Sequence, residues 1–213
     1  MSRLFDCQDE QSRAAGIAAA ASAVRQGELV VFPTDTVYGL GADAFSPDAV
    51  RRLLSVKGRG RDLPVPVLIG SWRTVNGLVD VLPPTANDLI AAFWPGALTL
   101  VLTAGSGLTW DLGDTQGTVA VRMPLHPVAL ELLAETGPMA VSSANRSGSP
   151  PAVSAAAALQ DLGDDVAVFL EGGVAPESAP SSIVDLTDVT PRLLRDGAVS
   201  RAELEDVLGA PLG

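Results

Sequence analysis

The order of apolar and polar segments along the chain predicts alternating helices and strands. Residues 12–26 form an Ala-rich block that ends at Gly27, which predicts a helix with Ser12 as its N-cap. The apolar run LVVF at 29–32 then predicts a buried strand. Residues 33–41, PTDTVYGLG, combine hydroxyl groups with glycines and predict a loop at the end of that strand. Such loops are where α/β sheets bind their ligands.

A second helix, a basic loop and another strand follow. Ser46 offers a capping hydroxyl, Pro47 fits the first helical turn, and Asp48 complements the helix dipole. Gly58 predicts the end of this helix. The run VPVLI at 65–69 predicts a strand, and its proline indicates a position near a sheet edge or at the start of the strand.

Turn signals divide the rest of the chain into shorter elements. Helices are predicted near residues 85–93, 126–134 and from 200 onward, and strands near 98–102, 119–123, 139–142, 166–170, 183–186 and 193–194. Ser200 and Glu203 form a capping-box pattern for the last helix. The mixture predicts an α/β fold with some antiparallel pairing. We expect one domain over residues 1–213, with a core of aliphatic side chains, because aromatic residues make up only 4% of the chain.

Composition and charge narrow the classes of function. The single cysteine, Cys7, cannot form an internal disulfide, and residues 1–12 lack an apolar stretch, so we expect a cytoplasmic protein without a targeting segment or membrane span. The net charge of −11 opposes nucleic-acid binding, because proteins that hold phosphates need a basic face. The one histidine, His126, is predicted at a helix start. One histidine and one cysteine cannot supply a zinc-ligand set or a Cys/His nucleophile pair.

The cations are concentrated in one segment. Five of the fourteen basic residues lie between Arg51 and Arg61, and Lys57 is the only lysine. Lys57, Arg59 and Arg61, separated by glycines, could bind a polyphosphate. They could equally form a solvated helix end whose charges complement the helix dipole. The segment lacks the Gly-Lys-Ser/Thr of a Walker A loop, so any ATP would bind through a different loop.

Two more segments carry polar groups near strand ends. Residues 139–151, MAVSSANRSGSPP, predict a strand that opens into a turn suited to a small polar ligand, although an ordinary Ser/Pro turn has the same composition. Residues 180–185, PSSIVD, place a serine pair before a strand, and Arg195 follows closely. Alone, these residues fit strand-end hydrogen bonding and a surface ion pair between Arg195 and Asp196.

Taken in order, the polar motifs resemble those of the YrdC family of threonylcarbamoyl-AMP synthases. The shared motifs are residues 33–41, Lys57-x-Arg59, 118–124 (TVAVRMP), 143–145 (SAN) with Ser147-Gly148, 180–185 and 194–197 (LRDG). The resemblance spans nearly the whole chain and corresponds to the short, single-domain form of the family. It implies a YrdC-like α/β fold, in which a twisted mixed sheet with flanking helices surrounds a large concave cavity.

The resemblance also implies a reaction. An enzyme of the nucleotidyltransferase class would condense L-threonine, bicarbonate and ATP to threonylcarbamoyl-AMP and pyrophosphate, with Mg²⁺ on the triphosphate, and tRNA-modifying transferase proteins would consume the product. Carried over by motif, the ATP-binding residues are Lys57, Arg59, Thr118, Arg122, Asn145 and Arg195, of which Lys57 and Arg59 are also catalytic. The threonine-binding residues are Thr34, Ser143 and Ser182, and no residue is implied as a metal ligand.

Two departures from the family pattern leave the amino-acid selectivity open. Gly60 stands where many members have proline, and Leu68 stands where members often have histidine. Two other functions could use the same motifs: an RNA-binding module of this fold, and an enzyme that forms or transfers a carbamoyl-adenylate. The negative charge disfavours the RNA-binding module, so stable direct binding to nucleic acid is not expected.

Overall fold

The structure is a computed structural model that describes residues 2–176 and 179–213. Its strands are β1 (Arg3–Asp6), β2 (Val30–Phe32), β3 (Gly39–Asp43), β4 (Val67–Leu68), β5 (Leu98–Thr103), β6 (Thr118–Arg122), β7 (Met139–Ser143), β8 (Val168–Glu171), β9 (Ser182–Asp185) and β10 (Arg192–Arg195). Its α-helices are α1 (Glu10–Arg25), α2 (Pro47–Lys57), α3 (Pro84–Phe93), α4 (Pro127–Thr136), α5 (Ala155–Leu162) and α6 (Arg201–Leu208). Trp72–Gly77 and Gly163–Asp165 are short 3-10 helices.

These strands form one mixed sheet in the order β1-β8-β2-β3-β7-β4-β6-β5-β9-β10. β3 is antiparallel to both β2 and β7, whereas β4 is parallel to β6 and β5 is parallel to β9. The predicted α/β class with some antiparallel pairing is therefore confirmed. Among the residues described, none of the helices combines the length and apolar character needed to cross a membrane.

Different helices cover the two faces of the sheet. α2 and α3 contribute Leu53 and Leu89 to a core that also contains Val121 of β6. α1 and α4 pack on the opposite face, in a second core that extends along the sheet to Leu68 of β4. Side chains alternate between the faces of a strand, so Arg122, the neighbour of Val121, points to the face of the second core. Leu68 and Arg122 are paired in register, which places Arg122 beside the border of that core.

α1 begins earlier than the sequence pattern predicts. It starts at Glu10, and Asp9 is the N-cap, with its Oδ1 accepting from the Ser12 amide at 2.8 Å. The prediction of Ser12 as the N-cap was wrong because the first turn is exposed and polar, so the apolar pattern starts one turn late. α2 lies where it was predicted, with Ser46 as its N-cap and Gly58 ending it at a φ of 60°.

Part of the predicted loop 33–41 is instead a strand. Gly39–Asp43 forms β3, which lies between β2 and β7 in the sheet. A Cβ atom at Gly41 would lie 2.7 Å from Met139 Cε and 2.8 Å from Phe32 Cε1, so only glycine allows the neighbouring side chains to pack this closely. Glycine disfavours strands in isolation, and tertiary packing overrides that preference here.

The strand predicted at 65–69 is shorter and more central than its sequence suggests. Only Val67–Leu68 forms β4, which lies inside the sheet between β7 and β6. The edge position was therefore the wrong alternative, and Pro66 precedes the strand instead. The proline does not interrupt pairing, because its carbonyl accepts from the Val141 amide at 2.9 Å. The strand β1 and the helix α5 were not predicted.

Candidate active site

The only lysine of the chain is buried at the end of α2. Lys57 has a relative exposure of 0%. The three N–H groups of its ammonium are shared among four oxygens: the Ser143 carbonyl at 2.7 Å, the Ser143 hydroxyl at 3.3 Å, Asn145 Oδ1 at 2.9 Å and the Asn145 carbonyl. These oxygen atoms replace the water that the ammonium loses on burial. Lys57 therefore holds the turn after β7, and its interpretation as part of a solvated helix end is wrong.

The two arginines that follow Lys57 have different surroundings. Arg59 Nη1 lies 3.5 Å from Ser142 Oγ, so its guanidinium is beside the same turn. Arg61 binds Asp111 through two contacts of 2.8 Å and approaches Asp114 at 3.3 Å. Because two carboxylates already neutralise Arg61, the positive charge available near the turn comes from Lys57 and Arg59.

The turn is held by its own Asn145 side chain and by carboxylates of α5 and of the 3-10 helix that follows it. Asn145 Nδ2 donates to the carbonyl of Arg146 at 3.0 Å and to that of Ser149 at 2.6 Å. The Arg146 amide donates to Asp161 at 2.8 Å, and its guanidinium contacts Asp165 at 2.5 Å. The Asn145 side chain thus shapes the turn, and its predicted contact with ATP stays a prediction.

A second polar group forms where the loop 33–38 meets β6. Arg122 is 6% exposed. Its guanidinium donates to Asp35 Oδ1 at 2.6 Å, to Thr36 Oγ1 at 3.0 Å and to the Gly96 carbonyl at 2.9 Å. These bonds point the planar guanidinium in a defined direction.

The same loop connects Arg122 to the turn that Lys57 holds. Thr34 is 4% exposed, and its Oγ1 donates to the Val37 carbonyl at 2.6 Å. The next carbonyl, that of Tyr38, accepts from the Ala144 amide of the turn at 2.8 Å. One loop therefore contacts Arg122 and the serine-rich turn, which brings segments that are far apart in sequence into one region.

Arg195 contacts a serine rather than its neighbour in sequence. Its Nε donates to the Ser181 carbonyl at 2.8 Å, and its Nη2 donates to Ser181 Oγ at 2.9 Å. The Ser181 hydroxyl lies 2.9 Å from that of Thr99. The alternative of a simple surface ion pair between Arg195 and Asp196 is therefore wrong.

Two other predicted residues use their hydroxyl groups locally. Ser182 is fully buried, and its hydroxyl contacts the backbone of residues 197–199. Thr118 Oγ1 donates to the Thr115 carbonyl at 2.8 Å. Thr118 shares a face of β6 with Arg122 but lies at the other end of the strand, roughly 13 Å away by strand rise. Arg122 therefore contacts the loop 33–38, whereas Thr118 lies farther from that loop.

Arg122 of β6 and Arg195 of β10 are two cations whose strands are separated in the sheet by β5 and β9, and their charges still influence each other. Burial lowers the pKa of Arg122, the Asp35 carboxylate opposes this effect, and the charge of Arg195 adds to it. Burial also lowers the pKa of Arg195. Both side chains stay charged at neutral pH because the guanidinium does not lose its proton in proteins. A pair of partly buried cations of this kind attracts an anionic ligand.

Three residues that organise this region were not singled out from the sequence. Asp35 and Thr36 orient Arg122, and Tyr38 joins the loop to the turn. The sequence does contain a signal for two of these residues, because Asp35 and Tyr38 are the acidic and the aromatic side chain in the motif 33–41. The sequence does not reveal that the partner of Asp35 stands 87 positions later.

The buried ammonium predicts a pH dependence of stability. Burial, and to a smaller extent the nearby charge of Arg59, lower the pKa of Lys57 from 10.5 to about 8. Between these two values the unfolded chain binds more protons than the folded chain, so the contribution of Lys57 to the free energy of unfolding rises with pH. In urea denaturation, we expect the free energy of unfolding of the wild type to rise by about 3 kcal/mol relative to that of Lys57→Met from pH 8 to pH 10.5. A difference that stays constant over this range would contradict a lowered pKa of Lys57 in the folded protein.

Comparison with known proteins identifies the family. The family model of Sua5, YciO and YrdC proteins, described as "Telomere recombination", matches residues 22–197. The chain belongs to the Sua5/YciO/YrdC family. A Mycobacterium tuberculosis protein is 59% identical over 209 residues, which are 98% of this chain and 96% of that protein. Threonylcarbamoyl-AMP synthase of Bacillus subtilis is 40% identical over 195 residues, which are 91% of this chain and 56% of that protein.

A solved structure of the Sua5/YciO/YrdC family agrees with the fold. Sua5 of Pyrococcus abyssi, crystallised in complex with L-threonine, superposes with a TM-score of 0.91 at 37% identity and covers 100% of this chain and 62% of that protein. The predicted family and its fold, a mixed sheet with flanking helices, are confirmed. The substrate contacts of individual residues stay predictions.

Proposed function

We infer that this protein is a threonylcarbamoyl-AMP synthase that condenses L-threonine, bicarbonate and ATP. The observation that carries this inference is that the loop 33–38 contacts both Arg122 and the turn held by Lys57. Threonine and ATP bound on either side of this loop would meet at the carbamate group, which connects the threonine nitrogen to the α-phosphorus in the product. The threonine-bound family member and the relatives that carry this enzyme name support the same function.

The chemistry fits a site without a nucleophilic side chain. The amine of threonine attacks bicarbonate or dissolved carbon dioxide, and bicarbonate loses water as the N–C bond of the carbamate forms. A carbamate oxygen then attacks the α-phosphorus of ATP, and pyrophosphate leaves with the bonding electron pair. The substrate therefore supplies its own nucleophile. The protein must align the two reactants, stabilise charge on pyrophosphate and keep water from the labile carbamate.

The proposed roles follow from the two polar groups. Arg59, Arg122 and Arg195 would neutralise phosphate oxygens, and Thr118 and Asn145 would contact the nucleotide. Lys57 would act on the phosphates through its charge and through the turn that it holds. Thr34, Ser143 and Ser182 would bind threonine by their hydroxyl or backbone groups.

Magnesium is proposed to enter with the nucleotide. Over residues 2–176 and 179–213, His, Cys, Asp and Glu side chains do not form a group of three or more that could hold a metal ion. A magnesium ion carried by phosphate oxygens and water needs no such group, so the residues present are compatible with it. Bound there, it would neutralise charge on the triphosphate. We expect EDTA to stop pyrophosphate release and excess Mg²⁺ to restore it, and full activity in EDTA would contradict this role.

The decisive experiment measures pyrophosphate release from ATP, Mg²⁺ and bicarbonate with each amino acid in turn. We expect release to require threonine and bicarbonate and not RNA, and mass spectrometry should identify threonylcarbamoyl-AMP. Release with carbamoyl phosphate in place of threonine and bicarbonate would indicate the carbamoyl-adenylate alternative. RNA binding that weakens steeply with salt, without pyrophosphate release, would indicate the RNA-binding alternative.

A second enzyme must use the product of the proposed reaction. Threonylcarbamoyl-AMP is a mixed anhydride that water destroys, so a transferase must accept the group soon after it forms. We propose that tRNA-modifying transferase proteins take the product from this enzyme in the cytoplasm.

A further inference from the structure

Tyr38, at the end of the loop 33–38, has a buried side chain with several polar partners. Tyr38 is 0% exposed. Its hydroxyl donates to Glu171 Oε1 at 2.6 Å, lies 2.5 Å from the Gly173 carbonyl and accepts from the Gly172 amide at 3.0 Å. Burial and the hydrogen bond to Glu171 raise the pKa of Tyr38, so the phenol stays a donor across the physiological range. The side chain thus anchors the loop to the segment that follows β8.

Glu171 extends this anchor to a helix. Its Oε2 accepts from the Ala155 amide at 3.0 Å and from the Ala156 amide at 3.3 Å, at the start of α5. Its Oε1 also accepts from the Gly173 amide at 2.9 Å. A carboxylate at a helix start is stabilised by amides that lack partners within the helix. Glu171 is therefore a fixed point, connected to β8 and α5, to which the Tyr38 hydroxyl is bound.

Gly172 packs against Pro33, at the other end of the loop. A Cβ atom at Gly172 would lie 2.6 Å from Pro33 Cγ and 3.1 Å from His126 Cε1. Pro33 immediately precedes Thr34. The loop is thus held at both ends by one segment, through packing at Pro33 and through the phenol at Tyr38.

We propose that Tyr38 and Glu171 are positioning residues that set the geometry of Thr34 for threonine binding. This inference rests on the proposed function. The Thr34 hydroxyl donates to the Val37 carbonyl at 2.6 Å, and Val37 is bonded directly to Tyr38, so a shift of Tyr38 moves the group that orients Thr34. The Tyr38 and Glu171 side chains act through the backbone.

The ATP side of the site has an anchor of its own. Asn145, which is proposed to contact ATP, is held by the Lys57 ammonium, and Arg122 is bonded to the Gly96 carbonyl outside the loop, so the Tyr38 hydroxyl takes no part in either contact. Loss of the Tyr38 hydroxyl should therefore affect threonine more than ATP. A purely structural role would instead reduce stability, or the fraction of active enzyme, and leave both KM values unchanged.

Steady-state kinetics of Tyr38→Phe test the inference. We expect the KM for threonine to rise about tenfold, because small displacements of a positioning group have effects of this size, while the KM for ATP changes less than about twofold. Thr136→Val is the matched control, because it removes a hydroxyl bonded to the Leu132 carbonyl at 3.0 Å, at the end of α4. The control should keep both KM values. Unchanged KM values in Tyr38→Phe, or equal increases for both substrates, would overturn the proposal.

A second pair of variants tests the packing contact without altering a hydrogen bond. Gly172→Ala should push Pro33 away and raise the KM for threonine, whereas Gly77→Ala should not, because a Cβ atom at Gly77 would meet nothing within 4 Å. Calorimetric titration of threonine into each variant gives binding without turnover. Absence of product with the wild-type enzyme would refute the proposed function. Wild-type turnover with unaltered threonine binding in Gly172→Ala and Tyr38→Phe would refute only the positioning role.

Discussion

Lys57→Met is expected to lose nearly all turnover while the protein remains folded. The methionine side chain fills similar space but removes the charge and the donors to Ser143 and Asn145. Removal of one stabilising donor from an enzyme site costs a factor of about 100 to 1,000 in rate, and Lys57 supplies several bonds to the turn. We therefore expect kcat/KM for ATP to fall about a thousandfold.

Opposing terms keep the expected change in stability small. Burial of the Lys57 charge costs about 3 kcal/mol on the scale of its lowered pKa. The methionine variant escapes that cost. The Ser143 carbonyl keeps the Asn145 amide as a donor at 2.9 Å, so mainly the two oxygen atoms of Asn145 lose a donor, at about 1–3 kcal/mol each. Near pH 7, where Lys57 is charged, these two contributions largely offset each other, so urea denaturation at that pH should show a change within about 3 kcal/mol.

Arg59→Ala and Arg61→Ala provide a comparison for Lys57→Met. Arg59 lies beside the turn, whereas Arg61 binds Asp111 and Asp114. Arg59→Ala should lose activity with little change in stability. Arg61→Ala should retain activity. Near-normal turnover in Lys57→Met and Arg59→Ala would remove the basis for a phosphate site at this turn.

Arg122→Ala is expected to reduce both stability and activity. Arg122 and Asp35 form an ion pair at 2.6 Å, with side-chain exposures of 8% and 15%. Removal of one partner of a buried pair costs about 3–5 kcal/mol, because the other charge stays buried. The free energy of unfolding should fall by this amount. If Arg122 binds the triphosphate as proposed, its loss should also lower kcat/KM by about a hundredfold.

A double-mutant cycle separates the ion pair from other effects of the substitution. If the pair is coupled, Asp35→Ala/Arg122→Ala should be more stable than the sum of the single changes predicts, by about 2 kcal/mol. Arg122→Lys keeps the charge but cannot reach Asp35, Thr36 and the Gly96 carbonyl together, so it should recover part of the stability and little of the activity. Strict additivity, or full activity in Arg122→Lys, would contradict the orienting role of these bonds.

Capping residues in the sequence correctly predicted where α2 begins and ends and where α6 begins. Ser46 and Gly58 bound α2 because a hydroxyl cap and a left-handed glycine act within one turn of the helix. Ser200 and Glu203 form the predicted capping box of α6 for the same reason. β3 was missed, because the two glycines that suggest a loop are accommodated by side chains from other strands.

The amino-acid sequence by itself determined the chemical inventory and the family: one lysine, one histidine, one cysteine, and an ordered set of motifs that runs through most of the chain. Only the tertiary structure decided what each cation does. Lys57 and Arg61 are four positions apart in one basic segment, yet Lys57 is buried among the oxygens of Ser143 and Asn145 while Arg61 is neutralised by Asp111. Charge in a protein depends on burial and on partners brought from distant positions, and the spacing of residues along a chain does not contain that information.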